Sequence, residues 1–399
     1  MQNNKKAAIC GGVLWIMAGV IAGCSSGGDG TADSGGSTAK EAGVCGESGD
    51  GVNWSALAST NCRYLSSYRL FSGADPTQTT GGAGIVYDLA TPLFTDYASK
   101  YRVVYVPEGK QAQYSEQEII DFPEGTVITK TFALPTDTAN RGLDNERLLE
   151  TRLLIRRASG WVALPYIWDA NEDDAELSVA GGNYAATVVH NGVQQSFTYQ
   201  VPDTNKCKQC HQFKTESGSR FVPLGPKARQ LNWTYTYADG AANQLAYWKQ
   251  KGILSGLPDD LSSIDSVPNY GDADASNLAG YSDDQIHRLA KGYLDINCAH
   301  CHRPEGGASN TGLSLEFWRS FADYQSQHGV CKQPVAYGGG ALSYDIEPGS
   351  PDASIINFRM ASDQPGDKMP EIGRQLVHQE GQALIHEWIA RMATNDCVD

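Results

Sequence analysis

Between Ile85 and Val201 apolar and polar residues alternate in short runs separated by turn residues, the period of two that puts successive side chains on opposite faces of a strand. The pattern predicts strands at Arg102 to Val106, Thr126 to Phe132, Leu149 to Arg156, Trp161 to Ile167, Ala185 to Val189 and Gln195 to Val201. His190-Asn191-Gly192-Val193 joins the last two through an Asn-Gly pair, which tolerates the positive φ a tight hairpin needs. Phe122-Pro123-Glu124-Gly125 is a turn of the same kind. These runs predict an antiparallel β-domain, a sandwich or an open barrel.

The period lengthens towards the C-terminus. Ala241 to Gly252 reads as a helix, and Ser282-Asp283-Asp284-Gln285 has the form of a capping box. Behind it Ile286, Leu289, Ala290, Tyr293 and Leu294 recur at helical spacing, as do Leu384, Ile385, Trp388, Ile389 and Met392 near the end. The expected organisation is a leader at 1–23, a flexible tether at 24–43 and a β-rich region at 44–206. A segment at 207–256 packed on it, a linker at 257–280 and an all-α domain at 281–399 complete it. The fold class is therefore multidomain α+β.

Composition narrows the setting. The 399 residues carry a net charge of -15, or -17 without residues 1–23, whose charges are Lys5 and Lys6. An acidic surface argues against nucleic acid and anionic lipid, and suits a basic redox partner. The apolar run from Ala7 to Gly23 is short and glycine-rich, as in a secretory signal. It ends in Ile21-Ala22-Gly23-Cys24, which resembles the bacterial lipobox, with Cys24 as the acylated residue. Ser25 behind it points to the outer membrane of a Gram-negative cell, facing the periplasm. Of ten cysteines, Cys10 leaves with the leader. Cys45, Cys62, Cys331 and Cys397 remain for disulfides once the motifs below are set aside. Pairing Cys45 with Cys62 and Cys331 with Cys397 keeps the bridges local, and two other connectivities stay open.

Two pentapeptides carry the chemistry: Cys207-Lys208-Gln209-Cys210-His211 and Cys298-Ala299-His300-Cys301-His302. C-x-x-C-H is the spacing of c-type haem attachment. Two thiols add across vinyl groups at one porphyrin edge, and the next imidazole turns to the iron. Cys207, Cys210, Cys298 and Cys301 would hold two haems covalently, with His211 and His302 as axial ligands. Met369, in Gly366-Asp367-Lys368-Met369-Pro370-Glu371, is the expected sulfur ligand of the second iron, and Met360 is its rival. No methionine lies between Met17 and Met360, so the first iron has no local thioether. His190 is the nearest upstream histidine, but a hairpin tip predicts an exposed side chain. An open first iron is one alternative, and zinc held by these Cys and His residues is another.

A helix running into C-x-x-C-H and a C-terminal helix with an inward aromatic resemble the class I cytochrome c domain. Over roughly Thr91 to the C-terminus the chain resembles a family of bacterial dihaem lipoproteins. The likeness rests on the ten residues from Thr91 to Lys100, on Phe122 to Thr126, on Glu150-Thr151-Arg152-Leu153 and on Leu224 to Arg229. Asn297 to His302, Asp345 to Gly349 and Lys368 to Arg374 continue it. Such proteins are similar to, and sometimes joined with, quinoprotein sugar dehydrogenases. The resemblance thus implies periplasmic electron transfer, with a quinoprotein dehydrogenase as partner. The β-region and its following C-x-x-C-H also resemble mono-haem cytochromes that oxidise hydroxylamine or bind gases. That implies the alternative of a haem enzyme, a peroxidase or hydroxylamine-type oxidase, with the Met369 haem as relay.

Overall fold

The strands form where alternation is strongest. In chain order they are β1 (Ile85–Tyr87), β2 (Ser99–Tyr105), β3 (Ala112–Gln113), β4 (Val127–Pro135), β5 (Glu146–Arg157), β6 (Gly160–Trp168), β7 (Ala175–Leu177), β8 (Gly182–His190) and β9 (Val193–Val201). The computed structural model describes residues 41–335, 337, 342–394 and 397. The expected leader, most of the tether, Cys10 and Cys24 lie outside the described residues. Six strands make one antiparallel sheet in the order β1-β2-β4-β5-β6-β7, and β8 and β9 form a separate hairpin. Asn191 and Gly192 take φ of 50° and 75° at its tip, the left-handed conformation the Asn-Gly pair predicts.

Both faces of the sheet are covered. Val103, Tyr105, Leu153, Ile155 and Tyr166 pack on one side against Ala56, Leu57, Tyr68 and Leu70 from the N-terminal segment. Their neighbours Val104, Ile128 and Leu154 point the other way, into a second core with Leu231, Leu245, Trp248 and Leu254. Cover on two sides leaves β4 buried along almost its whole length, with Thr129, Lys130 and Thr131 interrupting its apolar residues. It also overturns the expected sandwich or barrel. Helix and loop cover one face, and on the other the β8–β9 hairpin joins them by packing Val188, Tyr199 and Val201 against Phe132 and Leu134. A two-stranded hairpin is no second sheet of matching size, so the six-stranded sheet stays open.

Seven α-helices occur among the described residues: α1 (Trp54–Ser59), α2 (Thr204–His211), α3 (Ala228–Leu231), α4 (Gln244–Gln250), α5 (Asp283–Asn297), α6 (Ile355–Ala361) and α7 (Gln379–Ala390). The helix predicted from Ala241 starts three residues later, because 240–243 pair with 234–237 as strands. Asn243 then caps α4 by accepting from the amides of Leu245 and Ala246. The capping box of α5 is formed in full by Ser282 and Gln285. Gly381 lets α7 cross α5 closely, since a Cβ there would lie 2.4 Å from the Tyr293 ring.

The all-α cytochrome c-like domain expected over 281–399 is not formed. Between α5 and α7 the described chain contributes a single short helix, α6, together with 3-10 turns, loops and isolated bridges such as Val330 with Ile346. The physical reason lies in 298–354, where glycine, proline and serine interrupt every apolar period before a helix of useful length can propagate. Glu41–Asp399 is one compact unit. The stretch read as a linker adds Ile264 to the core behind the sheet and Tyr270 to that around α5 and α7. Cys45 is bonded to Cys62, and Cys331 to Cys397. No described helix is long and apolar enough to cross a membrane.

Candidate functional site

The first pentapeptide occupies the last turn and a half of α2. Asp203 starts that helix by accepting from the amides of Asn205 and Lys206, both at 2.9 Å. The second begins where α5 ends. Cys298 is the C-cap, and the amides of Cys301 and His302 turn back onto its carbonyl at 3.0 and 2.9 Å. All four cysteines carry free thiols. None pairs within its own motif.

The two motifs meet. The Cys301 Sγ lies 3.5 Å from the Gln209 carbonyl, and sulfurs of Cys210 and Cys301 with a ring nitrogen of His300 fall within 4.8 Å of one another. The junction is held on both sides. The Lys214 amide donates to the Glu305 carbonyl at 2.8 Å, and the Arg303 guanidinium sits 4.6 Å over the Phe213 ring. The hydrogen bond from Cys301 holds the Cys210 thiol down, at about 4, and the same contact drives Cys301 up. Burial pushes Cys298 up to about 12.

Beside the second motif is a cavity of about 480 Å³, lined among others by Cys298, His302, Phe94, Met360, Met369 and Arg374. Its size lies within the range of roughly 300–1,000 Å³ usual for cofactor sites. Phe94 comes from the loop before β2, where Asp96 and Tyr97 take φ of 47° and 61°. That loop is pinned to the C-terminal region through Phe94, Asp96 and Tyr97, whose hydroxyl donates to the Val377 carbonyl at 3.3 Å. Asn297 Oδ1 accepts from the Phe94 amide at 2.9 Å, and the Asp96 carboxylate accepts from the amides of Gln375 and Leu376 at 2.6 and 2.7 Å. Two left-handed non-glycine residues in succession are costly unless such contacts over-determine them.

The residues present fit a tetrapyrrole held by two thioether links and an axial imidazole. At the second motif the Thr311 hydroxyl donates to the Ala308 carbonyl at 2.7 Å, so its oxygen accepts from His302 Nδ1 at 3.1 Å. At the first, His211 Nδ1 donates to the Val222 carbonyl at 2.7 Å, and its ring stacks on Phe221. In both rings the proton sits on Nδ1, which leaves the Nε2 lone pair for a metal. Burial holds both imidazoles down to about 4, neutral at physiological pH.

Met360 and Met369 reach the same cavity from different surroundings. Met360 belongs to the apolar core around α5 and α7. Met369 is half-buried on a loop whose carbonyl receives the Arg374 guanidinium at 2.9 and 3.1 Å. Arg374 also reaches the carbonyls of Arg359, Met360, Ser362 and Leu376, so one buried cation ties both methionine segments together.

His190 differs from its expected exposure. It is 3 % exposed, because the hairpin tip folds down onto α7. Its Nε2 pairs with Glu380 at 2.8 Å and its ring stacks on Tyr97 at 3.9 Å. Spacing alone could not reveal Phe94, Thr311 or Arg374, which come from a loop, a turn and a strand-free segment with no periodicity. No family model matches the chain, and no curated protein or solved structure matches it either.

Proposed function

We propose that the chain is a dihaem c-type cytochrome that carries electrons in the periplasm. The observation that carries this reading is the grouping of free thiols, Nε2-available imidazoles and Met369 around one cavity and its neighbouring motif. A bound haem supplies a one-electron iron couple, with its potential set by axial ligands and burial. The chain's own contribution is positional. Cys298 presents its sulfur to the cavity and Cys301 lies at the junction with the first motif, Thr311 orients His302, and Arg374 holds the Met369 loop. Cys24 is then the lipid-bearing residue, the outer membrane the location, and a quinoprotein dehydrogenase the partner the resemblance suggests.

A pyridine-haemochrome assay with intact mass measurement tests this on protein from cells competent in cytochrome maturation. Two haem increments per chain are expected, and a bare polypeptide mass would end the reading. A second reading has its own support. Cys210, Cys301 and His300 form a compact soft donor set, and His300 Nδ1 is buried without a hydrogen-bond partner among the described residues. Stoichiometric zinc with no haem in the same preparation would favour that one.

The two methionines should separate cleanly. Met369→Ala is expected to lower the midpoint potential of one haem and leave stability nearly unchanged, because a thioether favours ferrous iron. Met360→Ala removes a core side chain and should cost about 2–5 kcal/mol while sulfur ligation persists. Potentiometric titration and urea unfolding of both variants read the two outcomes, and an exchange of roles would reassign the ligand to Met360.

A further inference from the structure

The four thiols of the two pentapeptides do not stand in equivalent places. Cys207 turns back along α2, with its sulfur 3.5 Å from the Asp203 carbonyl. Cys298 is the C-cap of α5 and lines the cavity. Cys210 and Cys301 instead face each other where the motifs meet, and their sulfurs and a ring nitrogen of His300 lie within 4.8 Å of one another. The fold thus gathers one thiol from each motif.

Contacts on either side of this pair hold the two segments together. The Lys214 amide donates to the Glu305 carbonyl at 2.8 Å, and its ammonium donates to the Ser309 hydroxyl at 2.6 Å. Arg303 lies 4.6 Å over the ring of Phe213, which is buried. Gly307 permits the close approach, since a Cβ there would lie 3.1 Å from the Gln209 carbonyl. In an unfolded chain, joining positions 210 and 301 closes a long loop at a considerable entropic cost. Here the fold has already brought the ends together, so each sulfur meets the other at high effective concentration. Both are half-buried rather than sealed, which leaves them open to a reagent from solvent. The remaining gap is one that side-chain rotation can close.

We propose that Cys210 and Cys301 form a reversible disulfide in the haem-free chain, a modification site that closes both pentapeptides with one bond. It stands beside the Cys45–Cys62 and Cys331–Cys397 bridges. The oxidant is a protein disulfide, the class of reagent an oxidising compartment supplies. One thiolate attacks it to give a mixed disulfide, and the facing thiol then displaces the oxidant. One sulfur–sulfur bond forms and one breaks, two electrons pass to the oxidant, and both hydrogens end on its sulfurs.

The consequence follows from thiol chemistry. Haem attachment at C-x-x-C-H uses two thiols, so the bond leaves each motif one short. Cys207 and Cys298 stay free, yet neither motif can be loaded through both of its sulfurs until a reductant opens the pair. A zinc set of Cys210, Cys301 and His300 is blocked in the same way, because its sulfurs are no longer thiolates. The bond depends on neither cofactor, since it forms before either is present.

Disulfide mapping decides the matter on the full chain, exported in cells that lack cytochrome maturation and alkylated before lysis. Trypsin cuts after Lys206 and Lys208 and so separates Cys207 from Cys210. The expected digest contains the peptide 209–214 joined to the peptide that carries Cys301, two hydrogens lighter than its separate parts. Fragmentation should place the bond on Cys301 rather than Cys298, and dithiothreitol should release both peptides. Cys207→Ser should keep the link, whereas Cys210→Ser should abolish it and leave Cys301 open to alkylation. Unlinked Cys210 and Cys301 in the wild type would overturn the assignment. So would bridges confined to Cys207–Cys210 and Cys298–Cys301, or loss of the link in Cys207→Ser. Haem plays no part in the digest, so its outcome is read apart from the haem count.

Discussion

Replacing Asp295 with asparagine should destabilise the protein by about 3–5 kcal/mol, the range for breaking a buried ion pair from one side. Asp295 on α5 is fully buried and receives Lys227 at 2.9 and 3.0 Å, Arg229 at 2.8 and 3.3 Å and the Phe317 amide at 3.1 Å. Both cations are buried with it. The substitution keeps the shape and removes the charge, which leaves two cations without a counter-ion. Urea unfolding measures the loss, and a change under about 1 kcal/mol would show that solvent or another acid compensates. A pH effect follows with a definite sign. Burial alone would raise the Asp295 carboxyl, but Arg229 and Lys227 outweigh it and hold the group well below the carboxylate range. A depressed folded-state value stabilises the fold above the unfolded value of about 3.9 and loses that contribution as pH falls towards the folded value. Wild-type stability should therefore fall more steeply below about pH 4 than that of Asp295→Asn.

Arg374→Ala is expected to cost about 3 kcal/mol and to loosen the methionine loop in the same step. One side chain serves the carbonyls of Arg359, Met360, Ser362, Met369 and Leu376, and removing it strands several buried acceptors. Arg374→Lys should not restore the wild-type value, because an ammonium cannot spread planar donors over five carbonyls. On the haem reading, both variants should also show a partial loss of the optical signature of sulfur ligation. Full retention of that signature in Arg374→Ala would mean that the loop is held by Lys368 and its neighbours instead, since the Lys368 ammonium bonds the Arg374 carbonyl at 2.7 Å independently of the guanidinium.

Much of the local structure was legible in the chain. The strands lie within a few residues of their predicted limits, because period-two alternation reports a side chain's immediate neighbours. Asn191-Gly192 and the Ser282 to Gln285 box were equally readable, since each is completed within four residues. The C-terminal region shows where such reading stops. Helices α5 and α7 were visible as amphipathic periods, but the architecture between them was inferred from likeness, and loop replaces it.

The sequence by itself located the six longer strands and helices α5 and α7 to within a few residues, and it determined the donor sets of the two pentapeptides. Both depend on spacing within a turn or two of backbone, which covalent geometry controls. Only the tertiary structure decided that Cys210 and Cys301 face one another across 91 residues of chain. It alone buried His190 against Glu380 and left Arg102, Lys130 and Arg152 abreast on a single rung. Those outcomes depend on which faces of distant elements are pressed together. That choice minimises exposed apolar area over the whole molecule, and no window of a dozen residues contains it.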